Sequence, residues 1–113
     1  MSIEEIVRAY LDDVLGDTPV RLELPNNPPS KIVIIEKTTG GEENHIKTAT
    51  LAIQSYGERM LDVITLNEKI KDVMSNIITL NEICKCKLNS DYNYTDTTTK
   101  KYRYQAVFDI YYY

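Results

Sequence analysis

Cys84 and Cys86 stand two residues apart in ICKCK, and the sole histidine, His45, ends the segment TTGGEENH beside Glu42, Glu43 and Asn44. These residue types bind metals, exchange disulfides or move protons. Structural zinc takes four ligands and catalytic zinc three, whereas the chain offers two thiols and one distant imidazole. Two residues along a strand, Cα atoms lie about 6.6 Å apart, near the upper limit for a disulfide. The pair therefore reads as reduced, inert thiols on an inward strand face. A general base at His45 needs a nucleophile, an orienting partner and a pocket. No G-x-S-x-G, Walker-type or G-x-G-x-x-G pattern is present to supply them. Gly40-Gly41 alone reads as a turn. Glu4, Glu5, Asp12 and Asp13 fall on the solvated side of a helix rather than in a metal-binding pattern. The expectation is a non-enzyme with no catalytic residue, no metal and no cofactor. A small ligand-binding or enzymatic domain built on His45, Glu42 and Glu43 is the contrasting reading, and it requires a concave pocket beside 38–45.

Tyrosine is the more informative residue. The chain has no tryptophan and one phenylalanine, yet five of its nine tyrosines lie in KKYRYQAVFDIYYY, residues 100–113. Tyrosine gives large contact area at low entropy cost and tolerates water, so it is favoured where protein surfaces meet. Sheet packing is the competing use of the same residues. A base-stacking platform needs a basic groove, which a net charge of −4 and a pI near 5.0 do not suggest. The charge is uneven: residues 1–57 carry five basic and nine acidic side chains, while residues 58–113 carry eight of each. Between Lys85 and Arg103, five cations face Asp91 and Asp96, a net of +3. A complementary contact between copies is one use of that split, and a solvated face is the other.

The elements that must position these residues follow from periodicity. Ser2 and Glu5 have capping-box spacing, and Ile3, Ile6, Val7, Tyr10, Leu11, Val14 and Leu15 repeat at 3.6 residues, predicting a helix that stops at Gly16. Pro19 to Leu24 alternates as a strand; PNNPPS, residues 25–30, cannot continue it. KIVIIEK, residues 31–37, predicts a central strand covered on both faces. Residues 38–45 read as a polar loop, the long exposed tip of a hairpin whose second arm is Ile46 to Tyr56, with Ala49, Leu51 and Ile53 on one face. A second helix is expected over Glu58 to Ile78, presenting Leu61, Ile64, Ile70, Val73, Met74, Ile77 and Ile78. The next strand places Cys84, Cys86, Leu88, Ser90, Tyr92 and Tyr94 on one side, and Lys85, Lys87, Asn89, Asp91 and Asn93 on the other. After the polar turn 95–101, Tyr102, Tyr104, Ala106, Phe108, Ile110 and Tyr112 share one face of the last strand. The order α-β-β-β-α-β-β predicts a single α+β domain over residues 1–113, with two helices on a mainly antiparallel sheet. MSIEEIVRAY lacks the pattern of a signal peptide and no apolar run approaches membrane length, so synthesis in a reducing cytoplasm is expected.

Three stretches, IEEIVRAYL, ENHIKTATLAIQSYG and KLNSDYNYTDTTTKKYRYQAVFDIYYY, together with the length and element order, resemble the tail terminator or tail-to-head joining proteins of long-tailed bacteriophages and Gram-positive prophages. Such proteins are often described as minor tail or minor capsid components. The resemblance covers nearly the whole chain. It implies a virion structural protein, made in the bacterial host cytoplasm, that caps the tail tube, ends its polymerisation and joins tail to head. It also implies a homo-oligomeric ring, usually hexameric, with the tail tube protein and head-completion or neck proteins as partners. DNA passes through such a ring without being specifically bound, and no membrane is involved. A head-completion or connector-associated neck protein is the neighbouring alternative. Loop and face logic then places the partner-facing residues at Thr38, Thr39, Gly40, Gly41, Glu42, Glu43, Asn44 and His45, and at Tyr94, Thr95, Asp96, Thr97, Thr98, Thr99, Lys100 and Lys101. Tyr111 and Tyr113 are expected at a subunit boundary.

Overall fold

The structure is a computed structural model that describes residues 1–99 and 101–113. Helix α1 (Ile3–Leu15) leads into a short strand β1 (Val20–Arg21). Two long strands follow, β2 (Ile32–Glu43) and β3 (Ile46–Gly57). Helix α2 (Met60–Met74) and a 3-10 turn (Ile77–Thr79) precede strands β4 (Ile83–Asn93) and β5 (Tyr102–Tyr112). The order is the α-β-β-β-α-β-β read from periodicity, in an α+β arrangement. The five strands lie in the order β1-β2-β3-β5-β4. Among the described residues only β1–β2 is parallel, and the other pairs are antiparallel.

Local chemistry accounts for the first helix. Ser2 Oγ accepts from the Glu5 N–H, and the Glu5 carboxylate accepts from the Ser2 N–H, closing the capping box. The Ser2 hydroxyl donates to the same carboxylate at 2.9 Å, and that bond, followed by the one from the Ser2 N–H, holds the Glu5 carboxyl below its usual range. Ile3, Val7, Leu11 and Leu15 are buried, and Gly16 takes φ +70° where the helix stops. The Tyr10 hydroxyl donates to the Val73 carbonyl oxygen at 2.6 Å, tying α1 to α2. Together the helices cover Val33, Ile35, Ala49, Leu51, Ile53, Ala106, Phe108 and Ile110, which form one core with the buried side of α1 and α2.

Four expectations are corrected. Residues 38–43 are not a loop: β2 runs on through Thr38, Thr39, Gly40, Gly41, Glu42 and Glu43 to a two-residue turn at Asn44-His45. Both turn residues have positive φ (51° and 67°), the left-handed backbone that suits the twist of a tight hairpin. The glycines are accommodated because β3 is itself paired with β5 as far as Lys47↔Tyr112, so the ladder is supported from the other side. The segment Pro19–Leu24 contributes only Val20 and Arg21 to the sheet, since the chain must leave its edge to reach the prolines. The face of α2 is Val63, Leu66, Asn67, Ile70 and Met74, while Leu61 and Ile78 are 66% and 54% exposed. Finally, register shifts in β4 at Ile83/Lys85 and Leu88/Ser90 break its alternation. One extra residue flips every later side chain to the other face. Cys86 and Leu88 oppose Ile110 and Phe108 on the helix side, but Tyr92 opposes Gln105 on the outer side and Asp91 turns inward opposite Ala106.

Candidate functional site

The outer face of the sheet, away from the helices, has two halves. Under β2 and β3 it buries Ile32, Ile34 and Ala52. Here the chain between β1 and β2 lies over the strands: Leu24, Pro28 and Pro29 line a groove of about 460 Å³ with Ile32, Tyr56, Lys101 and Tyr102. Under β5 and β4 the face is open and carries the candidate site.

Register builds this site. Cross-strand partners share a face, so Tyr56↔Arg103, Gln54↔Gln105 and Gln105↔Tyr92 fall side by side. Arg103 Nη1 donates to the Tyr56 hydroxyl at 3.1 Å, and that hydroxyl donates to Gln54 Oε1 at 3.2 Å. Gln54 Nε2 donates to Gln105 Oε1 at 2.9 Å, and Gln105 Nε2 donates to the Tyr92 hydroxyl. The Tyr92 ring meets Tyr94 edge to face with centroids 6.0 Å apart, and the Arg103 guanidinium lies 4.4 Å from the Tyr94 centroid. Arg103 Nε also donates to the Tyr94 carbonyl at 2.6 Å. The six residues close a loop that spans three strands. Both glutamines are buried, so their amides must be paired, and within this circuit they are. Tyr92 and Tyr94 remain 42% exposed and roof the amides. A cation held over aromatic faces, with phenols at the surface, is a grouping suited to binding.

The predicted partner residues fall at opposite ends of a molecule 44 Å long. Tyr102 pairs with Gly57 and Tyr112 with Lys47, so the 94–101 connection lies at one end of β5 and the Asn44-His45 turn at the other. Thr38 is the bulged residue of β2, its hydroxyl donating to the Thr50 carbonyl. Thr39 and Gly40 line a shallow groove of about 340 Å³ with Thr48, Thr50, Asp109 and Tyr111. Gly41 lies against the Thr48 hydroxyl, and Glu42, Glu43, Asn44 and His45 are exposed. His45 is exposed at the turn and does not line this groove, and among the described residues no cluster of three metal-ligating side chains exists. At the other end Thr95 bonds the Arg103 backbone, and Asp96 Oδ1 accepts from the Thr98 and Thr99 N–H groups. Those backbone donors hold the Asp96 carboxyl below its usual range. Thr97 and Lys101 are exposed; Lys100 lies outside the described residues. Of both predicted sets, only Tyr94 belongs to the circuit. Tyr111 is exposed on the outer face beneath Lys85, and Tyr113 is exposed with its N–H on the Glu82 carbonyl.

The thiols do not share a face. Cys86 points inward, where burial pushes its pKa up to about 11. Cys84 sits in the β4 irregularity and is half-buried. The inward Asp91 is met by α2: Lys71 Nζ lies 2.7 Å from its carboxylate and Asn67 Nδ2 donates to it at 3.2 Å. Sequence reasoning missed Gln54, Gln105 and Tyr56. The available signal was polar residues interrupting outer-face positions of two strands that pair centrally, in LAIQSY and YQAVF. Compared with known proteins, the chain matches no family model and no curated protein.

Proposed function

We propose that this chain is a virion structural protein of a long-tailed phage or prophage that caps the tail tube, ends its polymerisation and joins the tail to the head. The resemblance of the three sequence stretches supplies the family. The observation that supports an assembly role is the outer face from β3 across β5 to β4, where a buried glutamine pair, three tyrosines and Arg103 form an ordered surface. Aromatic residues and arginine carry a large share of binding energy at protein interfaces. The capping activity is ascribed to this non-catalytic surface and to the sheet ends.

The test is genetic and direct. Deleting the gene from its phage or prophage is expected to give tails of uncontrolled length, seen by electron microscopy. Purified protein is expected to bind the tail tube protein of the same genome and to stop its polymerisation. Tails of normal length left unattached to heads would overturn the terminator assignment in favour of a neck role.

A further inference from the structure

We propose that the open β4–β5 half of the outer face receives the acidic side of α1 from a second copy, so that copies meet front to back. This deepens the assembly reading and rests on it. The first observation is direction. From Arg103 each hydrogen bond is donated onward, through Tyr56, Gln54 and Gln105, to the Tyr92 oxygen. Each neutral group between is used as acceptor and donor. Tyr92 ends the line with its oxygen already accepting, so its own proton is directed to whatever approaches the exposed phenol.

The second observation is charge. Lys85 and Lys87 are exposed on the same face, opposite Tyr111 and Asp109, and form no salt bridge among the described residues. Arg103 likewise has no carboxylate partner there. Asp109 is the one acid of β4 and β5 on this side, and it is occupied by the Thr50 hydroxyl at 2.8 Å and the Asn89 amide at 3.0 Å. A surface of outward donors and cations selects an anionic, acceptor-rich counterpart.

That counterpart exists on the same chain, on the opposite side of the sheet. Glu5, Ala9 and Asp13 are exposed at four-residue intervals along α1, and Asp17 follows just past its end. Arg8 is the only base on the helix, and it is shared with Asp12 at 3.9 Å. Exposed Val14 sets an apolar contact beside the acids. Each molecule therefore presents opposite charge on its two sides and cannot bring its own α1 to its own outer face. Contact between two different surfaces is heterologous, and it propagates from copy to copy.

The experiment is sedimentation velocity on the full chain at about 0.1 M and about 1 M salt, where the screening length falls from about 10 to about 3 Å. Two charge-reversed variants are compared, Lys85→Glu/Lys87→Glu and Asp13→Lys/Asp17→Lys; all four positions are exposed and lie outside the circuit. Thermal melts establish that both variants fold. Wild type is expected to self-associate at low salt, with affinity falling about tenfold or more at high salt. Each variant alone is expected to be monomeric, and an equimolar mixture to associate again. A wild type that stays monomeric up to millimolar concentration overturns the proposal, as does association that neither variant alters or that the mixture fails to restore. Binding to the tail tube protein is measured in parallel. Tube binding without self-association removes this contact alone, whereas loss of tube binding by wild type removes the assembly reading.

Discussion

The two faces of this sheet are closed by different means. On the helix side, Val33, Leu51, Ile53, Phe108 and Ile110 are packed with aliphatic side chains from α1 and α2, and water is excluded chiefly by hydrocarbon, with buried Asn67 paired to Asp91. On the open half of the other side, two glutamine amides are buried under tyrosines and an arginine, each polar group meeting a fixed partner. Hydrocarbon burial is strong and forgiving of direction. A hydrogen-bonded circuit adds little net free energy but tolerates one geometry. The helix side thus holds the fold, and the outer side holds a shape.

Mutations separate the two. Ile110→Ala, at a fully buried core position, is expected to cost about 2–5 kcal/mol, read as a fall in denaturant midpoint with unchanged slope. An unaltered midpoint would deny the helix side its role. Gln105→Leu orphans the Gln54 amide and should cost about 1–3 kcal/mol. The double change Gln54→Leu/Gln105→Leu should cost less than the sum of the single changes, because no amide is then left buried alone. Strict additivity would mean that the circuit is not coupled. His45→Gly, which relieves a non-glycine residue at φ 67°, is expected to raise stability by about 0.5–1 kcal/mol in the same assay.

The thiols give the smallest signal. A thiol reagent at pH 8 should modify Cys84 before Cys86, because burial keeps Cys86 protonated. For Cys86 the folded pKa of about 11 exceeds the ordinary thiol value of 9.0, so its stabilising preference is complete below pH 9.0 and is lost as pH rises through about 11. Equal labelling rates would place Cys86 outside the core.

Much of the helix side was legible because burial there is periodic. Ala49, Leu51 and Ile53, and Ala106, Phe108 and Ile110, recur at every second position as one strand face must, and α1 shows a 3.6-residue stripe with a capping box. The outer circuit was not legible, because it depends on register. Tyr92 reaches Gln105 only after an irregularity between Leu88 and Ser90, and a bulge leaves no mark in periodicity. The same shift sends Asp91 inward to Lys71. Residues 38–43 misled for a different reason: two glycines and two glutamates favour a loop locally, and pairing with β3 outweighs that preference.

The strand order carries a consequence for synthesis. β5, made after β3 and β4, lies between them, and those two strands do not pair with each other. Until residues 102–112 have cleared the ribosome, β3 presents a bare edge and β4 has no strand to pair with. The sheet is completed by a keystone inserted after both of its neighbours, so a chain stalled before residue 102 is an aggregation hazard.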